Sequence, residues 1–200
     1  MSVKYGFFDV DCLELNERGN GLGYRPRVSP IVPRLEKLYA LAKSKGYPLV
    51  FTTCCSGQML DDDSLEDVLV VPLETENEEW LSNLNQYEIF NMRKKAYGDP
   101  KLNASCRAFD MFQDNGNAVQ LLKALDVDTW VLFGNGFDLC VGSAVKGILK
   151  AGLPLLLIED LRISSAGGTP ESECATLAAM KEMGANFIYY EEFLAQENWK

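Results

Sequence analysis

The stretch VLFGNGFDLCVGSAVKGILKAG, residues 131–152, decides how the rest of the chain is read. An apolar run of strand composition ends in Gly134-Asn135-Gly136. Cys140 follows at the opening of a segment with helical periodicity, which Gly152 closes. Such a turn can cradle phosphate, pack a buried cysteine, or hold a nucleophile at a helix N-terminus. The phosphate reading is incomplete. Gly134-x-Gly136 begins a dinucleotide fingerprint, and Glu159 ends the next strand where a ribose-binding acid belongs. Leu139, however, stands at the third glycine position, and the unit lies late in the chain. The cysteine reading places Cys140 in the first helical turn, with Asp138 as candidate cap. Unpaired N–H groups and the helix dipole there favour thiolate, and the same N–H groups can hold an oxyanion. A small residue packing helix against sheet is the alternative, and position alone favours it.

Working outward, apolar runs of strand length alternate with helix-period segments. Strands are predicted at 5–10 (YGFFDV), 48–54, 88–92, 129–134, 153–160 and 186–190. A short extra strand at 67–73 is confined to a sheet edge by Pro72. Helices are predicted at 29–46, capped by Ser29 and striped by Ile31, Leu35, Leu38 and Leu41, and at 117–126, 140–152 and 171–184. A last short helix ends the chain. Fully apolar strands between amphipathic helices indicate an α/β fold. The expected form is a three-layer α/β/α sandwich with a six-stranded parallel, Rossmann-like sheet, whose sites form beyond the carboxyl ends of the strands.

Composition bounds the function. Two hundred residues at 47% hydrophobic content suit one domain, taken as 1–200. A net charge of −10, with no basic cluster larger than Arg93-Lys94-Lys95, argues against nucleic acid as partner. No apolar run is long enough to span a membrane, and the N-terminus lacks the pattern of a secretory signal, so a cytoplasmic protein is expected. Six cysteines at 12, 54, 55, 106, 140 and 174 form no Cys-x-x-Cys and read as cytosolic thiols. There is no histidine. That removes Ser-His and Cys-His catalysis and every histidine metal site, leaving acid–base work to Asp, Glu, Lys, Tyr or Cys.

Two further residues join Cys140. Asp9 ends strand one in FFDVDC, where a buried strand meets the carboxyl edge. An acid there can take a proton from a nearby thiol, although a turn or cap role is the alternative. Lys94, in MRKKAY after strand three, lies at the same edge and can also be read as part of a solvated turn. An acid, a cation and a helix-terminal thiol thus fall at the carboxyl ends of strands one, three and four.

With these residues the chain resembles the isochorismatase-like cysteine hydrolases, which include nicotinamidases and N-carbamoylsarcosine amidases. The matching features are Asp9 in FFDVD, Lys94 in KKAY (Arg93 or Lys95 fits after a one-residue shift), and Gly134, Cys140 and Val141 in GNGFDLCV. The likeness continues through ATLAAMKEMGANFIYYEEFL. It implies a catalytic triad of Asp9, Lys94 and Cys140. It also implies a cis Asn135–Gly136 peptide, and an oxyanion hole from the loop of Asn135, Gly136 and Cys140. Phe137 and Tyr97 are candidate substrate contacts. Phe137 stands where the family usually has Thr. Cys54 and Ser56 stand where nicotinamidases carry Asp-x-His, so no metal and no cofactor is expected. The resemblance implies hydrolysis of a small amide or related C–N bond through a thioester, in a homodimer or tetramer. The alternatives are a non-catalytic small-molecule-binding or interaction member of the fold, and a vinyl-ether hydrolase of the isochorismatase type.

Overall fold

The structure, a computed structural model, describes residues 3–15, 22–53, 68–69, 89–93, 119, 122–123, 125–165 and 167–199. Strand β1 (Tyr5–Val10) is buried at every position. Its alternation sends Tyr5 and Phe7 into one core cluster and Phe8 and Val10 into another. It is hydrogen-bonded on both sides, in parallel, to β4 (Leu49–Thr53) and β7 (Thr129–Asn135). A short hairpin of β2 (Leu13–Leu15) and β3 (Leu22–Tyr24) lies between β1 and the first helix.

Beyond β4 come β6 (Ile89–Arg93), parallel, and β5 (Val68–Leu69), antiparallel at the edge. Beyond β7 come β8 (Leu155–Ile163) and β9 (Asn186–Ile188), both parallel. The order among the described residues is β5-β6-β4-β1-β7-β8-β9. Both faces of such a sheet are covered, which is why the strands read as unbroken apolar runs. The direction of travel across the sheet reverses beside β1, so the carboxyl ends of β1 and β7 are where a sheet of this kind carries its site.

Helix α1 (Val32–Lys45) lays Leu35, Leu38, Tyr39, Leu41 and Ala42 on the sheet and ends at Gly46 in the left-handed conformation. Ser29, the expected cap, instead lies in a 3₁₀ segment, Pro26–Ile31, and α1 starts from Ile31 without a side-chain cap. Pro33 in the first turn has no N–H needing one. Helix α2 (Gly142–Lys150) covers the opposite face through Ala144, Val145 and Ile148. Helix α3 (Pro170–Glu182) opens on a capping box between Thr169 and Ser172, and α4 (Tyr190–Gln196) buries Phe193 and Leu194. Of the helix predicted at 117–126, residues 119, 122 and 123 are described and helical. No described helix is long and apolar enough to cross a membrane.

Candidate active site

Asp9 is two residues beyond Phe7 on β1 and shares its face, so its carboxylate meets α1 in a wholly buried setting. The Tyr39 hydroxyl donates to Oδ2, and the Cys12 backbone N–H donates to Oδ1 at 3.1 Å. Burial pushes the Asp9 pKa up to about 6. Those hydrogen bonds pull against it, and neighbouring Asp11 adds to the rise. Asp11 takes φ 53°, and its carboxylate accepts from the Thr52 hydroxyl at 2.6 Å. Cys12 is buried, and its thiol is pushed well above the ordinary value, by burial first and by Asp9 next. It therefore stays protonated at neutral pH.

The raised pKa of Asp9 fixes the sign of a stability effect. The folded state holds this proton more tightly than the unfolded state. The favourable contribution is complete below the unfolded value of 3.8 and is lost as pH rises through about 6. Asp9→Asn is therefore expected to be more stable than the natural protein at pH 7.5, by an amount on the order of 2 kcal/mol, and to match it near pH 4. Urea midpoints at the two pH values check this; a gap that widens toward pH 4 contradicts it.

At the end of β7, Gly134 has φ 143°, and a Cβ there would lie 2.2 Å from the Val10 carbonyl oxygen. No side chain fits that approach. Asn135 is nearly buried, and its Nδ2 donates to the Asp11 carbonyl at 3.5 Å, tying the two strand ends together. Gly136 (φ 77°, ψ 50°) swings the chain over, and a Cβ on it would meet both Cβ and Sγ of Cys140 at 3.3 Å. The cysteine sulfur thus lies directly against the glycine turn.

Residues Phe137–Val141 form a turn of π-helix that runs straight into α2, with Val141 N–H donating to the Gly136 carbonyl at 3.1 Å. Cys140 therefore occupies the first helical turn, as expected, though the turn is wider than an α turn. Its exposure is 7%, among Phe8, Val10 and Phe137.

Three expectations are corrected here. The Asn135–Gly136 bond is trans, because the left-handed Gly136 makes the turn without a cis peptide. The Gly136 N–H, expected in the oxyanion hole, donates to the Ile163 carbonyl at 2.8 Å, since the β7–β8 ladder reaches Ile163. Asp138 does not cap the helix. Its carboxylate accepts from Ser165 N–H at 2.9 Å and Ser172 Oγ at 3.1 Å. Partial burial opposes its charge, but these hydrogen bonds outweigh that and hold its pKa below the ordinary value.

Asp9 and Cys140 thus reach the carboxyl edge on adjacent strands. The carboxylate faces α1, and Cys140 packs on the α2 side. Phe137 is fully buried beneath the Arg162 guanidinium, 4.6 Å from its ring centre. Lys94, Lys95 and Tyr97 lie outside the described residues, as do Cys54, Cys55, Ser56 and Cys106; of Arg93 the backbone is described, at the end of β6. Among the described residues no three His, Cys, Asp or Glu side chains gather as a metal site. Sequence reasoning missed Tyr39. It lies one turn beyond Leu35 and next to Leu38 on the buried side of α1, and a phenol buried there needs a partner.

A parallel sheet covered by helices on both faces is the fold of the isochorismatase family. The chain belongs to that family: the isochorismatase domain matches residues 10–192. Among solved structures it is similar to YcaC from Pseudomonas aeruginosa, determined with hexane-2,5-diol and covalent acrylamide. The two are 17% identical with a TM-score of 0.59, over 96% of this chain and 79% of that one. The pyrazinamidase of Pyrococcus horikoshii in complex with zinc is 17% identical at TM-score 0.59, covering 93% and 99%. N-carbamoylsarcosine amidase from Thermoplasma acidophilum is 18% identical at TM-score 0.56, covering 94% and 96%. At these identities the likeness is one of fold. No curated protein matches the chain in sequence.

Proposed function

We propose that this hydrolase is cysteine-dependent and cleaves a small amide or related C–N bond. The observation that carries the reading is the Cys140 sulfur seated against the Gly136 turn, one strand away from the buried carboxylate of Asp9. Asp9 and Cys140 are carried on opposite faces of the sheet, and the scheme has them meet beyond its carboxyl edge: Asp9 takes the thiol proton there, and the thiolate attacks the substrate carbonyl carbon. The Cys140 N–H and the opening turn of the helix favour the charge that develops on oxygen. Asp9 then gives its proton to the departing amine as the C–N bond breaks, leaving a thioester. Water, deprotonated by Asp9, attacks the thioester, and the thiolate leaves and recovers the proton.

Lys94 favours the charged forms of both partners, and Tyr97 contributes to the substrate wall. Phe137, packed under the turn, supports it from the core. Asp9 with a pKa near 6 is suited to moving a proton in both directions at neutral pH. The protein acts as a single-domain, cytoplasmic homo-oligomer. The substrate class is tested by incubating the protein with small carboxamides, carbamoyl compounds and ureas while following ammonia release. Release that disappears on alkylation of Cys140 supports the reading. Release that survives full alkylation of Cys140 rejects it.

A further inference from the structure

Among the described residues, one side chain from outside its own strand end reaches Asp9 through a contact that the reaction scheme does not use. The Tyr39 hydroxyl, carried by α1, donates to Oδ2, while Oδ1 takes the Cys12 N–H; Asp9 and Tyr39 have no exposed surface. A buried carboxylate loses water on every side, and a buried phenol must place its proton somewhere. Here the two needs are met together. The ring is fixed independently of the hydroxyl. It stacks on Tyr24 with centroids 6.5 Å apart and lies 6.3 Å from Phe133 of β7. Tyr39 therefore delivers its proton to one place on Asp9 from a rigid support.

We propose that Tyr39 is a positioning residue of this site. Its hydroxyl holds Asp9 in one orientation and in the carboxylate form from which it accepts the thiol proton of Cys140. The inference rests on the reading of Asp9 as the base.

Among the described residues, the titratable groups facing Asp9 are Tyr39 from α1, Tyr24 from β3, and Cys12 and Asp11 from the segment after β1. Cys12 and both tyrosines have their pKa values raised by burial, so at neutral pH they are neutral, and Asp11 opposes the charge on Asp9. Among the described residues, the Tyr39 and Cys12 hydrogen bonds favour it. The Tyr39 phenol keeps its proton while it donates, so it stabilises the carboxylate without competing for the proton in transit.

The test compares Tyr39→Phe with Tyr24→Phe. Both remove one oxygen from the same stacked pair, but the Tyr24 hydroxyl has no hydrogen-bond partner among the described residues. With carbon-13-labelled aspartate, the Asp9 carboxyl resonance is the one missing from Asp9→Asn, and its titration is read directly. Tyr39→Phe is expected to move that titration upward by about one pH unit, and Tyr24→Phe to leave it in place. An unmoved titration in Tyr39→Phe, or an equal move in Tyr24→Phe, overturns the proposal.

In parallel, the rate of iodoacetamide alkylation at Cys140 is measured by peptide mass spectrometry across pH. Its acid limb is expected to follow Asp9 in Tyr39→Phe, giving about a tenfold lower rate below the limb. If the carboxyl titration moves while the Cys140 profile is unchanged in both Tyr39→Phe and Asp9→Asn, Tyr39 holds Asp9 but Asp9 does not serve Cys140. That outcome overturns the hydrolytic scheme and the catalytic part of this inference, and leaves the contact itself established.

Discussion

Cys140→Ala is expected to lower turnover by roughly four orders of magnitude or more while leaving substrate binding nearly intact. The substitution removes one sulfur from a position already against the Gly136 turn, so the pocket keeps its shape and loses its nucleophile. The folding penalty is small, about 1 kcal/mol, because a single atom leaves a cluster that retains Phe8, Val10 and Phe137. Cys174→Ser, on the exposed side of α3, serves as the control and is expected to keep full activity. Asp9→Asn should lose turnover as deeply, since an amide cannot take the thiol proton. The double variant Asp9→Asn/Cys140→Ala should be little worse than either single one, since the proposed scheme has both groups act in one proton transfer. Rates for the three variants on the substrate found by ammonia release decide the matter. Multiplicative losses, or appreciable turnover in Cys140→Ala, refute a shared covalent site.

The second large effect is on stability. Gly134→Ala should cost about 3 kcal/mol or more, seen as a lower urea midpoint at unchanged slope. The new methyl group would lie 2.2 Å from the Val10 oxygen and 2.8 Å from its nitrogen, against main chain rather than a flexible side-chain tip. Val10 cannot give way, because β1 is hydrogen-bonded to β4 and β7 on either side. The φ of 143° adds backbone strain of its own. Gly152→Ala provides the contrast. It has positive φ (72°) but nothing within 4 Å of the added carbon, so only the conformational part remains, about 1 kcal/mol. Equal losses in the two variants would contradict the steric account.

The central strands were legible because their signal is continuous burial. YGFFDV begins and ends where β1 does. The sequence misled where tertiary contacts override local preference. The strand expected to stop at Asp160 runs on to Ile163, since its half-buried Glu159, Asp160 and Arg162 lie on a strand still paired with β7 at Gly134 and Asn135. The strand expected through Tyr190 stops at Ile188, and the Asp160 carboxylate takes the Tyr190 N–H at 2.8 Å at the start of α4. Two tyrosines in a row favour a strand, and one distant carboxylate reverses that.

At the site, Asp9 and Cys140 could be placed at one sheet edge from sequence because strand ends are marked by composition. The face each side chain takes, the π turn and the partnership with Tyr39 are set by packing between segments that are remote in sequence. Asp138 shows the same limit. It stands where a cap belongs, yet its partners Ser165 and Ser172 come from beyond β8 and are invisible to local reading.

The place of β1 in the sheet also governs how the protein comes to be folded. It is made long before its second partner and completed late. It pairs with β4 on one side and with β7 on the other, and just before both strands Lys4 N–H donates to the Asp128 carboxylate across 124 positions. During synthesis Phe7 and Phe8 have no second neighbour until residues 129–135 have left the ribosome. For several seconds at ordinary translation rates, a strand that is wholly buried in the finished fold is an open edge. Closure of so long a loop makes the sheet a slow, non-local folder. The chain is then most dependent on chaperones, and most prone to aggregate, just before the cysteine turn is built. The step that seats β7 beside β1 also brings the Cys140 turn to the carboxyl end of β1, so this edge of the sheet is assembled only when the core is sealed.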